Sequence, residues 1–336
     1  MQASDTSRPQ EEFLKYMPCP ICDSGRSESI YPIDKAYASY HSKIDLSDID
    51  LGVAHCKDCK HQFIQPVPQI PFLKAFYSSY MSKAKDGFYQ ERKQVEIPGS
   101  FCERYGHWLE RISALCKGDG GALLDIGTGL GMFLQLAREY GFDVAGVEPN
   151  HEAARELRDV YGIPVYNCLL EELETTALYD AVTMWDLLEH LPDPYVAMRQ
   201  VHHVLRPDGL VVLEIPVRDS FIHWLVKGAY HVSFGRIRRP LFLVQGIHHL
   251  QYFSEDSIQG FLAKNGFEVV EVHRAETHLQ ALYKRPGRGL FSWIKAGAYN
   301  TAIRLAFLCG RILKKQNKLI ILARKRNGSA CAECAF

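Results

Sequence analysis

From Gly121 onward the chain alternates short apolar runs with helix-like stretches, and this alternation constrains its fold more than any other feature. The runs are ALLDIG, FDVAGVE, IPVYN, YDAVTMW, GLVVLEIP and GFEVVEV, and NKLIILARK closes the series. Between them lie Met132 to Tyr140, Glu152 to Tyr161, Pro194 to Leu205 and Ser254 to Asn265. Strand-like runs of about four to eight residues that alternate with helices predict a parallel α/β sheet with crossover connections. Two segments interrupt the series, Val217 to Leu250 and Thr277 to Asn317. Insertions on such a scaffold usually sit at the rim where ligands bind, so these are expected to shape an acceptor site.

Upstream, residues to about Pro71 are rich in Cys, Pro and turn formers. Phe72 to Leu115 is Tyr-rich and charge-dense, and reads as helical in two pieces broken near Pro98 and Gly99. The expected division is residues 1–71, a connector at 72–118, an α/β domain at 119–326 with inserts 217–250 and 277–316, and a flexible tail at 327–336.

The chemistry starts at Leu123-Leu124-Asp125-Ile126-Gly127-Thr128-Gly129-Leu130-Gly131. Here a strand turns tightly into a helix, glycines let the backbone approach a ligand closely, and the helix start offers free N–H groups. Alone the motif also fits a dinucleotide or a simple turn. Farther along, VAGVEPN ends the next strand with Glu148, where a carboxylate can accept both hydroxyls of a ribose. Gly127, Gly129 and Gly131 do not supply the spacing of the dinucleotide fingerprint. Asp125, ahead of the first glycine, disfavours a pyrophosphate and suits a cationic amino-acid cofactor.

These stretches resemble the class I S-adenosylmethionine-dependent methyltransferases. LLDIGTGLG, GVEPN, YDAVTMWDLLEHLPDP, VLRPDGLVVLEIP and HHLQYFSEDSI follow that family's order and spacing. Over about residues 17 to 326 the chain looks most like small-molecule and saccharide methyltransferases with an N-terminal zinc ribbon. The resemblance implies a Rossmann-like seven-stranded sheet with S-adenosylmethionine as cofactor. It places Asp125, Gly127, Thr128 and Gly129 at the methionine end, Glu148 on the ribose, and Asn167 to Glu171 beside adenine. Where many relatives carry Asp or Thr, this chain has Cys168-Leu169, which leaves the backbone for the adenine contact. Trp185 and Asp186 are expected to border the cofactor.

Trp185-Asp186-Leu187-Leu188-Glu189-His190 follows the fourth strand. Spacing puts Asp186, Glu189 and His190 on one turn at the carboxyl end of the sheet. Two readings stand. A similar cluster in ubiquinone-type O-methyltransferases is associated with a divalent metal, and carboxylates with a His would suit Mg²⁺. The plainer reading is that Glu189 and His190 cap and brace the helix beside the cofactor. His248-His249-Leu250 precedes Gln251-Tyr252-Phe253-Ser254, and Ser254 is a good N-cap. An imidazole can take a proton from an acceptor as the methyl arrives. By the resemblance His249 is first choice for base or acceptor clamp, against a structural histidine that pins the loop. His190 and Tyr252 are further candidates.

Cys19-Pro-Ile-Cys22 and Cys56-Lys-Asp-Cys59 form two C-x-x-C knuckles. Two such pairs complete a four-thiolate zinc site, which has no open coordination position and is therefore structural. Cys331 and Cys334 form a third pair in a Gly/Ser/Ala tail, where an unstructured end is the expectation.

The 39 Lys plus Arg balance 39 Asp plus Glu, but unevenly: residues 1–277 hold 27 basic and 38 acidic residues, and residues 278–336 hold 12 basic residues and only Glu333. A cationic tail on an anionic body suits phosphate, an acidic lipid face or the body itself. The inserts mix aromatics with Arg236, Arg238, Arg239 and scattered lysines. Helices over the acceptor pocket explain this most simply. A peripheral membrane contact is the sharper idea, although the charges do not read as one clean helical face. The first residues show no basic stretch followed by an apolar core, so no export is expected and the location is read as cytoplasmic.

The expected activity is methyl transfer to O, N or C of a small metabolite or sugar. The alternative is an RNA methyltransferase whose ribbon and basic tail grip phosphates. Against RNA, the ribbon segment is not basic, and WDLLEHLPDP lacks the N-P-P-[YFW] type signature of enzymes that methylate base amines. A third reading, a degenerate scaffold, conflicts with the intact loop and Glu148.

Overall fold

The computed structural model describes residues 12–74, 99–116, 120–277, 279–287 and 289–326. The first half of the connector and the Cys331/Cys334 pair lie outside the described residues. Strands β1 (Leu14–Lys15) and β2 (Ser27–Pro32), helix α1 (Lys35–Ser42), and strands β3 (Gly52–Cys56), β4 (Gln62–Gln65) and β5 (Val67–Pro68) form the N-terminal part. Helix α2 (Gly99–Leu115) leads to β6 (Ala122–Ile126), α3 (Met132–Glu139), β7 (Asp143–Val147), α4 (His151–Asp159), β8 (Val165–Tyr166) and β9 (Tyr179–Trp185). Then come α5 (Pro194–Val204), β10 (Leu205–Pro216), α6 (Phe221–Val232), α7 (Arg239–Val244), β11 (Gln251–Tyr252), α8 (Glu255–Lys264) and β12 (Phe267–Ala275). The short α9 (Leu279–Leu282), the long α10 (Leu290–Ile312) and β13 (Lys318–Lys325) end the described chain.

Seven strands form one sheet in the order β12-β13-β10-β9-β6-β7-β8. Strands β6 to β10 run parallel, whereas β13 is antiparallel to both neighbours, so the sheet is mixed and not wholly parallel as the alternation suggested. The reason lies in the second insert: a connection that returns the chain beside its own strand needs no crossover. The strand order reverses between β9 and β6, and open α/β sheets bind ligands at the carboxyl ends beside that point.

Both faces of the sheet are covered, which explains near-continuous apolar runs such as Leu123-Leu124. Leu123 shares one apolar cluster with Leu109 and Ile112 of α2 and Leu134 of α3, while Leu124 belongs to another with Met198 and Val201 of α5 and Phe261 of α8. Local signals fix the helix starts: Asn150 accepts from the Ala153 N–H, Asp193 from the N–H groups of Tyr195 and Val196, and Ser254 from that of Ser257.

The N-terminal sheet is not self-contained. Its order is β11-β4-β3-β2, so a strand from after the first insert completes it. Cys19, Ile21, Cys56 and Phe63 join the same apolar core as α5 and α8. The Tyr195 hydroxyl donates to the Ile21 carbonyl at 2.7 Å, and His61 Nε2 lies 3.0 Å from Gln251 Oε1.

Candidate functional site

At the end of β6, Gly127, Gly129 and Gly131 have φ of +75°, +54° and +70°. This left-handed backbone is why the loop is glycine-rich. A Cβ on Gly127 would sit 3.1 Å from Leu187, whereas one on Gly129 would point into open space. That open face is a cradle in which a ligand can lie against the backbone. Glu148, after β7, is 8% exposed, and its two oxygens accept from the Gly129 N–H at 2.7 Å and the Asn150 N–H at 2.8 Å. Burial raises its carboxyl, opposed by those two N–H groups. A carboxylate has about four lone-pair sites, so two backbone bonds leave room for a diol.

Asp125 is buried on β6 and accepts from the Thr183 hydroxyl at 2.6 Å. Burial pushes its carboxyl up to about 7. Asn167 binds the Glu148 carbonyl through its amide at 2.8 Å and so fixes the loop that carries Cys168 and Leu169. Thr128 is buried beside Asp125. The Trp185 ring packs edge-on against Tyr105 and Phe133, with centroids 4.9 and 5.0 Å away, and its Nε1 is buried with no protein acceptor.

The acceptor end differs from the sequence expectation in two respects. Asp186 does not join Glu189 and His190; its carboxylate is taken by Lys318. Nor do Glu189 and His190 cap α5, because Asp193 does so and they occupy the short turn Leu188–His190 before it. The structure instead gathers Glu189, His190 and His249, with one donor atom from each inside a span of 4.8 Å. This set offers one carboxylate and two imidazoles, a softer combination than the oxygen-rich sites magnesium prefers.

Glu189 is fully buried, and neither carboxylate oxygen has a hydrogen bond. Burial first, and the nearby Asp186 charge second, raise its carboxyl well above the ordinary range. His190 Nδ1 lies 2.5 Å from the His248 carbonyl and therefore carries the proton, which leaves Nε2 as the lone pair 3.7 Å from Glu189. Burial holds the His190 imidazole down to about 4 and the His249 imidazole well below its usual value. Both rings are neutral at pH 7, as a proton acceptor must be. The loop is tied down by the Leu250 N–H, which donates to the Glu189 carbonyl at 2.7 Å. Tyr252, on β11, is placed otherwise: its buried hydroxyl donates to the Gly246 carbonyl at 3.2 Å, so it holds the loop's shape.

A methyltransferase-domain family model matches residues 92–272, more than half of the chain. The chain belongs to this family. It is 28% identical over 233 residues to the C-methyltransferase NovU of Streptomyces niveus, covering 68% of this chain and 49% of that protein. To the ubiquinone biosynthesis O-methyltransferase of Bordetella avium it is 28% identical over 159 residues, covering 45% of this chain and 62% of that protein. The chain thus spans about half to three-fifths of the length of these two relatives. Among solved structures, the 1,6-didemethyltoxoflavin-N1-methyltransferase of Burkholderia thailandensis aligns over 84% of this chain and 98% of its own, with TM-score 0.46 and 17% identity.

Two further features of the chain bear on this region. Lys318, at the start of β13, is buried and binds both Asp186 and Glu214, the latter at 2.8 Å, and Arg104 of α2 also pairs with Glu214. Sequence reading missed this network. The one available signal was a lysine at the start of an apolar strand, which becomes a site residue only because β13 runs antiparallel. The second feature is the cysteine group. The sulfurs of Cys19, Cys22, Cys56 and Cys59 all lie within 4.8 Å of one another, with Cys19–Cys59 and Cys22–Cys56 at 3.5 Å. Four thiolates about 2.3 Å from one zinc would stand about 3.8 Å apart, so the arrangement fits that ion. In both knuckles the residue after the second cysteine, Asp23 or Lys60, adopts a left-handed backbone, so the two turns are built alike.

Proposed function

We propose that this methyltransferase methylates an O, N or C atom of a small metabolite or sugar, with cofactor and acceptor held at opposite ends of the β6–β9 crevice. One observation carries the reading: the Gly127 loop abuts Leu187, so the Glu148 cradle and the Glu189/His190/His249 cluster are built on adjoining loops. Bound S-adenosylmethionine supplies a methyl group already activated on a sulfonium. Asp125 is assigned to its ammonium, Gly127, Thr128 and Gly129 to close backbone approach, and Glu148 to the ribose hydroxyls. The backbone at Cys168-Leu169 borders the adenine, and Trp185 and Asp186 flank the pocket. His249 takes the acceptor's proton on a ring nitrogen, and His190 Nε2 with Glu189 positions it. The names of the relatives, a C- and an O-methyltransferase, support a small-molecule acceptor. No observation favours RNA.

The four cysteines are assigned a structural zinc that secures the β2–β4 knuckles. Through β11 this sheet also fixes the loop that carries His248 and His249. Release of S-adenosylhomocysteine, measured against a panel of hydroxylated metabolites, aromatic phenols and nucleotide-linked sugars, tests the function. Turnover with one of these classes supports it, and turnover only with RNA would overturn it.

A further inference from the structure

The two inserts share an unusual surface. Of the 21 large apolar side chains exposed among the described residues, 13 lie in residues 224–243 and 291–313. The inserts, residues 217–250 and 277–316, together hold 13 Lys or Arg and one acidic residue, Asp219. An exposed apolar surface of this kind marks a contact with a partner or a membrane.

Helix α10 shows how the surface is organised. At about 100° per residue, the exposed Phe291, Ile294, Leu305, Leu308 and Ile312 fall within an arc of about 100°. Phe291 is 70% and Ile312 71% exposed, so the stripe is open to solvent at both ends of the helix. The residues that α10 buries, Ala296, Ala306, Phe307 and Gly310, occupy the opposite side. Lys295 lies on one border of the stripe, its ammonium 4.3 Å from the Phe291 ring, and Arg304 lies on the other. The charges that look scattered in the sequence therefore flank a clean apolar face. Helix α6 packs against the end of α10, where the Phe221 N–H donates to the Lys315 carbonyl at 2.9 Å, and it adds exposed Trp224 and Val232. No helix among the described residues is long and apolar enough to cross a membrane.

We propose that α10 docks flat on an anionic bilayer, with its apolar stripe at the acyl boundary and Lys295 and Arg304 among the headgroups. An apolar stripe flanked by cations is the arrangement that interfacial binding requires. A second copy of the chain fits less well, because pairing this face with itself would bring like charges together. The proposal is independent of which acceptor the enzyme uses.

The test is sedimentation of the full chain with vesicles of phosphatidylcholine, with or without about a third phosphatidylglycerol. The chain is expected to pellet with the anionic vesicles only, and less in about 0.5 M salt, which screens headgroup attraction. The triple substitution Phe291→Glu, Leu305→Glu, Ile312→Glu is expected to weaken binding by about tenfold or more. Val160→Glu, an exposed apolar position elsewhere, is expected to leave it unchanged. Affinity for S-adenosylhomocysteine verifies that each variant is folded. No pelleting of the wild-type chain, equal pelleting with neutral vesicles, or equal loss in Val160→Glu would each overturn the proposal. So would a dimer that the triple substitution dissolves, because the stripe would then belong to a second copy.

Discussion

Glu148 and Glu189 are both buried carboxylates at the carboxyl end of the same sheet, yet their surroundings are opposite. One Glu148 oxygen accepts the N–H of Asn150, two residues on, and the other that of Gly129 in the loop after β6, whereas neither Glu189 oxygen has a hydrogen bond. On the proposed function the first is a preorganised fitting for the cofactor. The second belongs to a cluster assembled from two distant loops, His190 before α5 and His249 before β11, and braced from outside by the N-terminal sheet. A buried group left unsatisfied by its own protein is costly unless something else completes it. On the proposed function the acceptor end is therefore where the chain keeps chemistry open, and the cofactor end is where it closes it.

The comparison breaks first at the cysteines. Replacing Cys56 by Ser should release the metal, an effect on the order of 10 kcal/mol for structural zinc, and loosen β11 and the histidine loop. Metal analysis should then find no bound zinc, and turnover should vanish while the S-adenosylhomocysteine affinity of the folded fraction is retained. His249→Ala comes next, with turnover lower by about 10²- to 10⁴-fold, the usual worth of a general base, and cofactor affinity unchanged. Equal loss of both would mean that the two ends are one site. Lys318→Met should cost about 3 kcal/mol or less in denaturant unfolding, because the fully buried Glu214 would lose one of its two cations and keep Arg104 alone.

The smallest effect is on pH dependence. Burial lowers His190 to about 4 and His223 to about 3, so between about pH 6.5 and 4 the unfolded chain binds protons that the folded chain refuses. Stability contributed by these neutral imidazoles is therefore lost as pH falls through that window. Melting temperature should drop as pH falls from 7 toward 4.5, and His223→Gln should flatten the slope.

What the sequence showed clearly was what neighbouring residues encode. The glycine turns, the Asn150 and Ser254 caps and the strand runs all depend on contacts within a few residues of one another. What it hid depends on distance. Asp186 pairs with Lys318 across 132 positions, and His61 meets Gln251 across 190. Neither β13's direction nor β11's place in the N-terminal sheet is written in local periodicity, because any apolar strand can pair either way. The cluster therefore looked like Asp186, Glu189 and His190 on one turn, when His249 takes Asp186's place.

The central claim, that Glu148 serves the cofactor and Glu189 does not, is tested most directly by calorimetric titration of S-adenosylhomocysteine into the wild type, Glu148→Ala and Glu189→Gln. Two charge-assisted hydrogen bonds at about 1.5–3 kcal/mol each make Glu148→Ala weaker by about two orders of magnitude or more. Glu189→Gln should bind within about twofold of wild type on the same scale. Unchanged affinity in Glu148→Ala, or an equal loss in both variants, would contradict the account.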